Sequence, residues 1–310
     1  MTSNIQLTMS PGHWLALGLL SLLWGGSFFF VEIAIAELPT LTLVTARVGL
    51  AALVLHALLV VRGTPVRVSL ELWGLFGVMA LLNNVLPFAA LVWSQQSLTA
   101  GMASILNATT PLFGLLVAHA LTQDEPLSGP RLAGVCVGFV GVALLFAPEL
   151  TGAGTGAGLL PMLACISAAL SYSFAGVFGR RFGARGLDPV VVAAGQLTAS
   201  TVVLAPIAAW LETPWALPAP GASTIAATSA LAIASTAGAY VIYFRLLAAV
   251  GAGNLLFVTQ LVPVSAILLG VLILGEQIST TALGAMALIA GGLAFTDPRV
   301  SGRLLARRTD

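Results

Sequence analysis

Ten stretches of about twenty residues carry almost no charge: near 13 to 36, 39 to 61, 70 to 94, 100 to 122, 129 to 147, 157 to 179, 189 to 210, 223 to 245, 252 to 274 and 279 to 296. A helix needs about twenty apolar residues to cross a hydrocarbon core roughly 30 Å thick, and in lipid its backbone polar groups must be satisfied within the segment. The expected fold is therefore an all-α membrane protein of ten transmembrane helices. With 58% of residues hydrophobic and 7% charged, no soluble domain is left to carry catalysis or to hold a macromolecule. The function is expected to lie among the helices. The first run is too long for a cleaved signal peptide and lacks a basic flank, so it is expected to stay in the chain.

All twelve basic residues are arginine. Arg62, Arg67, Arg131, Arg180, Arg181, Arg185, Arg245, Arg299, Arg303, Arg307 and Arg308 fall at alternate connections, whereas Glu37, Glu149, Glu212 and Glu276 occupy the opposite set. By the positive-inside rule both termini are expected in the cytoplasm. The basic tail then reads as a topology and lipid-headgroup anchor rather than a nucleic-acid site, since the formal net charge is only +1.

Within this pattern the chain repeats itself. "TPLFGLLVAHALTQDEPLS" and "VPVSAILLGVLILGEQIS" each place a proline inside an apolar run that ends at acidic residues, and Pro111 and Pro263 are 152 positions apart. Pro39 with Pro189, Trp93 with Tyr243, Gly101 with Gly251, Gly134 with Gly284 and Gly141 with Gly291 keep nearly the same offset. The expected organisation is a first five-helix repeat over 1–148, a second over 149–298 and a basic tail over 299–310. Five is odd, so the second repeat must enter the membrane in the opposite sense. Such inverted repeats suit alternating access, because exchanging the conformations of two similar halves opens the molecule first to one side and then to the other.

The segments "LLWGGSFFFVEIA" and "PTLTLVTARVGLAALVL", with the duplicated proline-to-acidic pattern and the glycine-rich helix after it, resemble the EamA family of the drug/metabolite transporter superfamily over nearly the whole chain. Within that family the resemblance is to YddG-type exporters. It implies export of amino acids, including aromatic or other apolar ones, and of bulkier aromatic or cationic compounds.

The polar residues inside the spans are the candidate substrate contacts. Pro111 and Pro263 deprive the carbonyls of Asn107 and Thr259 of their helical partners, and such groups must find other partners or line a wet cavity. Asn107, Thr110 and Gln260 lie beside these prolines. Either the two kinked helices line a central cavity or the kinks serve packing alone. In "LLNNVLPF", Asn83 and Asn84 are adjacent amides, and Pro87 shares a face with Asn83. They either touch substrate or bridge helices. Trp24 and Ser27 lie one turn apart in the first span, and Thr236, Tyr240 and Tyr243 make a stripe along the eighth. Trp24, Tyr172 and Tyr240 could stack on an organic side chain or simply pack. Tyr243 and Trp93 read as interfacial belt residues.

Arg47 breaks the topology rule, lying about 12 Å inside its span at 1.5 Å per residue. It would either bind a substrate carboxylate or tie helices together. Its approximate counterpart, Gln196, is uncharged. No aspartate or glutamate occupies the middle of a span, Glu32 being nearest, so transport is expected to be facilitated rather than strongly proton-coupled.

Other classes fare worse. His13, His56 and His119 are scattered, Cys136 and Cys165 lie within apolar runs as packing residues, and no hydrolase motif is present, so neither an enzyme, nor a metal site, nor a cofactor is expected. A Schiff-base photoreceptor needs a lysine, which the chain lacks. The leading reading is a secondary transporter exporting small metabolites such as amino acids. Multidrug or other metabolite efflux is the alternative within transport, and a membrane sensor or channel the alternative outside it. The arginine-only, alanine- and leucine-rich usage suggests a bacterial inner-membrane protein. Its partners would be a small-molecule substrate and membrane lipid, with no nucleic acid, and it would act as a monomer.

Overall fold

A computed structural model describes residues 9–64, 68–123, 127–152, 156, 158–255 and 257–296, and every regular element among them is a helix. Arg67 and the basic tail lie outside the described residues. The apolar segments are α1 Pro11–Ala34, α2 Thr40–Val61, α3 Leu70–Ser94, α4 Ala100–Leu121, α5 Gly129–Leu150, α6 Leu159–Ala184, α7 Pro189–Leu211, α8 Ala222–Gly251, α9 Val258–Leu274 and α10 Thr280–Thr296. The first eight are long and apolar enough to cross a membrane, and α9 and α10 are shorter apolar helices.

Polar caps set several of the starts. The side chains of Ser10, Ser69, Thr99 and Asp188 accept from the backbone N–H groups of His13, Leu72, Met102 and Val190, which would otherwise be orphaned in the first turn. Pro11 and Pro189 follow two of these caps, at positions where a missing N–H costs nothing. The eighth helix runs further than the sequence suggests, to Gly251. There the chain turns with φ 75°, a left-handed conformation open to glycine.

The packing of the helices is nearly symmetric between the halves. Numbering pairs α1 with α6, α2 with α7, α3 with α8, α4 with α9 and α5 with α10. Under this exchange the extensive contact of α1 with α9 becomes that of α6 with α4, that of α1 with α8 becomes that of α6 with α3, and that of α3 with α7 becomes that of α8 with α2; all six are present. The remaining strong contacts, α2 with α7, α5 with α10 and α4 with α9, map onto themselves. A two-fold relation between the halves accounts for all of these contacts.

Two of these contacts depend on missing side chains. A Cβ on Gly25 would lie 2.8 Å from the Val262 carbonyl oxygen, so α1 and α9 meet backbone to backbone, and the hydroxyls of Ser21 and Ser265 join them at 2.8 Å. On α10, a Cβ on Gly292 would lie 2.5 Å from the Gly134 carbonyl oxygen and 2.7 Å from the Gly138 nitrogen. The small-residue stripe of α5 is thus used within the chain, where close backbone approach replaces the hydrophobic driving force that lipid removes.

At the end of the bundle that carries the glutamates, three carboxylates reach across the halves to helix N-termini. Glu212, after α7, accepts from the Leu41 and Thr42 amides at 2.9 and 2.6 Å and from the Thr42 hydroxyl at 2.7 Å. Glu276, after α9, accepts from the Ala100 and Gly101 amides at 2.8 and 3.1 Å. Glu37, after α1, accepts from the Gly221 amide at 2.6 Å. Each places a negative charge on unpaired N–H groups at the positive end of a helix dipole. At the arginine end, Arg185 and Glu71 form an exposed salt bridge of 3.1 Å between the halves.

Candidate functional site

Among the described residues three helices are locally wound as π-helix: α9 over its last turn, Gly270–Leu274, and α3 and α8 in their interiors at two sites related by the repeat. In α3 the segment is Leu81–Val85, which holds Asn83 and Asn84; in α8 it is Ile233–Gly238, which holds Ser235 and Thr236. The starts are 152 positions apart, the same offset as Pro111 and Pro263. In α3 the cause is partly local, since Pro87 has no N–H to give to the Asn83 carbonyl. A π-turn re-aims side chains and frees carbonyls, and such turns gather at functional sites. Hydroxyls meet two carbonyls at these turns, Ser171 donating to Leu82 O at 2.7 Å and Thr236 to Leu231 O at 2.8 Å.

The π-turns present their polar side chains to α2 and α7 of the opposite half. Asn83 Nδ2 donates to Gln196 Oε1 and to the Tyr240 hydroxyl, both at 3.1 Å. Tyr240 donates in turn to Asn84 Oδ1 at 3.1 Å, and Asn84 Nδ2 donates to Ser200 Oγ at 3.0 Å. Across the two-fold, Arg47 Nε donates to Thr236 Oγ1 at 2.9 Å. The guanidinium lies over the Phe88 ring at 3.7 Å, and the phenols of Tyr172 and Tyr240 are close enough to interact with it electrostatically. Every one of these links except that to Phe88 joins one half to the other. A connected polar network in a low-dielectric interior fixes its members firmly. Removing the Tyr240 hydroxyl by Tyr240→Phe leaves Asn83 and Asn84 each short of a partner, and a loss of about 1 kcal/mol is expected, read as a lower melting midpoint in detergent.

Arg47 is 7% exposed, and its only hydrogen bond among the described residues is the one from Nε. No carboxylate among the described residues pairs with it.

The other sequence candidates lie elsewhere. Ser27 donates back to Trp24 O at 2.7 Å, and Trp24 packs on Tyr243 with ring centroids 5.5 Å apart. Tyr243 therefore packs against α1 rather than standing in an interfacial belt. Trp93 is half exposed and, with Thr40, Gln96 and Glu212, lines an open groove of about 560 Å³ at the glutamate end.

The two prolines behave differently. At Pro111 the regular helix stops at Asn107 and restarts at Thr110, and the Thr110 hydroxyl donates to the stranded Asn107 carbonyl at 2.7 Å. That carbonyl therefore does not need a wet cavity. The Asn107 side-chain oxygen is buried without a partner among the described residues. Pro263 sits inside a continuous helix and, with Gln260, Ile105, Ala108 and Met286, lines a gap of about 10 Å³ between α4, α9 and α10. The kinked helices thus do meet, at a gap lined mainly by apolar side chains rather than at the Arg47 network.

Sequence reasoning singled out Arg47, Asn83, Asn84, Tyr172 and Tyr240 because polar and aromatic groups in lipid demand explanation. Gln196 entered it only as the counterpart of Arg47 and Thr236 only as part of a stripe. Ser200 and Phe88 carried no such signal, since serine and phenylalanine are ordinary in membrane helices.

A profile of the EamA-like transporter family matches residues 11–147 and, a second time, residues 159–296. The chain is 26% identical to the uncharacterized transporter YoaV of Bacillus subtilis (strain 168), over 89% of this chain and 94% of that one. It is 28% identical to the uncharacterized inner membrane transporter YedA of Escherichia coli (strain K12), over 85% and 83% of the two chains. A crystal structure of a protein 23% identical in sequence superposes with a TM-score of 0.67, covering 93% of this chain and 98% of that one, which is a likeness of fold.

Proposed function

The chain belongs to the EamA-like transporter family, and from that premise we propose that it is a secondary transporter exporting small metabolites, foremost amino acids, by alternating access between its two halves. The observation that carries this reading is the position of the polar network. Costly groups, among them a buried guanidinium and two adjacent amides, are gathered where the halves meet, at π-turns related by the repeat. In transporters built from repeats, substrate sites lie at the repeat interface near the midplane, where irregular helix is tolerated. The glutamate clasps would close the outer side in this conformation, taking the arginine side as cytoplasmic. The flanking rings of Phe88, Tyr172 and Tyr240 favour apolar or aromatic side chains on the solute. The location would be a bacterial cell membrane, as for the Escherichia coli relative called an inner membrane transporter.

Efflux from proteoliposomes preloaded with mixed amino acids tests this reading. Wild type should release amino acids, and Asn83→Ala and Tyr240→Ala should cut the rate at least about tenfold, the cost expected when a buried polar partner is lost. Gln260→Ala, at the separate gap, should stay within about twofold of wild type. No release above empty liposomes would remove amino acids as the cargo.

With no carboxylate near the middle of a span, transport should follow the solute gradient. Uphill accumulation driven by a pH step alone would contradict this.

A further inference from the structure

We propose that Arg47 is the specificity-determining residue of this site: its free guanidinium edge receives the carboxylate of the transported solute, so that cargo is selected as a monocarboxylate. The proposal rests on the reading of the chain as a small-metabolite exporter and names the chemistry that its central site recognises.

The argument begins from cost. A guanidinium inside a membrane protein is expensive and is kept where it has a counter-charge, a carbonyl cluster or water. Arg47 is buried, and among the described residues neither a carboxylate nor a carbonyl partners its guanidinium. Nε is used by Thr236 and one face is covered by Phe88, which leaves the two Nη groups without a hydrogen bond among the described residues. Those are the donors that take a carboxylate as a fork.

The repeat supplies a comparison inside the molecule. At the mirrored position Gln196 ties α7 to the π-turn of α3 through Asn83. The tie from α2 to the π-turn of α8 through Thr236 is its counterpart. An uncharged glutamine is therefore enough to join the helices, and the charge of Arg47 is surplus to that task. Because the mirrored residue is neutral and the chain has no lysine, the site offers one fixed positive charge. One charge suits one carboxylate, whereas a phosphate dianion would call for several basic groups. The adjacent Phe88, Tyr172 and Tyr240 rings place an apolar surface beside the anion position.

The test compares acids with their amides on the full chain. In detergent, phenylalanine and 3-phenylpropionate should raise the melting midpoint of the wild type, and phenylalaninamide and 3-phenylpropanamide should not. Arg47→Gln should abolish the response to both acids, and Arg47→Lys should keep part of it. In proteoliposomes, Arg47→Gln should slow phenylalanine efflux at least about tenfold, as expected when one partner of a buried charge pair is lost.

Equal stabilisation by acid and amide, no stabilisation by either acid, or an Arg47→Gln protein that still discriminates would each overturn the proposal. If Arg47→Gln does not fold, the acid-to-amide comparison on the wild type decides by itself. Stabilisation by acids without any phenylalanine efflux would remove the amino-acid export reading and leave the carboxylate site standing, so the two can fail separately.

Discussion

Replacing Glu212 by alanine is expected to open the glutamate end of the bundle, raising the reactivity of a cysteine placed at Val44 roughly tenfold or more toward a membrane-impermeant maleimide applied at that end. Val44 is fully buried one turn beyond the Leu41 and Thr42 amides that Glu212 accepts from. Hydrogen bonds to a charged acceptor contribute about 1.5–3 kcal/mol each when shielded. Glu212 is only partly buried, so a net contribution of about 2 kcal/mol is more realistic, a shift of roughly thirtyfold in a two-state equilibrium. The effect should be specific to the clasp. Glu37 is exposed and makes one such bond, so Glu37→Ala should change the rate far less. The labelling is read with Cys136 and Cys165 replaced, since both are free thiols. An unchanged rate in Glu212→Ala would show that the clasp does not hold the glutamate end closed.

The second large effect is steric. Gly292→Val should collapse the yield of monodisperse protein in detergent, while Gly291→Val, one residue earlier, should leave it near wild type. A side chain at Gly292 would enter the backbone of α5, whereas one at Gly291 meets nothing within 4 Å. Overpacking usually costs about 1–3 kcal/mol. Here the obstructing atoms are the Gly134 carbonyl and the Gly138 amide, which cannot rotate away, so the cost should reach or exceed the upper end. Equal tolerance of both substitutions would mean that α5 and α10 do not approach as closely as described.

Some of the site was legible in the one-dimensional pattern and some was not, for a physical reason. Arg47, Asn83 and Asn84 stand out because hydrophobic surroundings make each polar group costly, and cost can be read from sequence alone. Their partners cannot. Whether Asn83 bonds Gln196 or a solute depends on which face of α7 is turned toward α3, and a helix apolar all round carries no periodicity to say so. Pro111 and Pro263 look alike in sequence, yet one interrupts its helix and the other does not. The difference lies in the neighbours, with a Thr110 hydroxyl at hand for the stranded Asn107 carbonyl. The paired π-turns were hidden too, because only Pro87 gives a local hint of one and nothing in "IASTAG" announces the other.

The sequence by itself determined that this chain lives in a membrane as a bundle of helices, because the lipid solvent demands internally satisfied backbone over about twenty apolar residues at a time. It also displayed the repeat, since the same packing problem solved twice leaves the same small and kinking residues at one offset. Only the tertiary structure decided which polar groups meet and how the ends are tied. Those outcomes depend on the rotation of each helix about its axis, and among nearly uniform apolar surfaces that rotation is fixed by a few close contacts between distant residues: Gly25 on Val262, Gly292 on Gly134, and Glu212 on the first turn of α2.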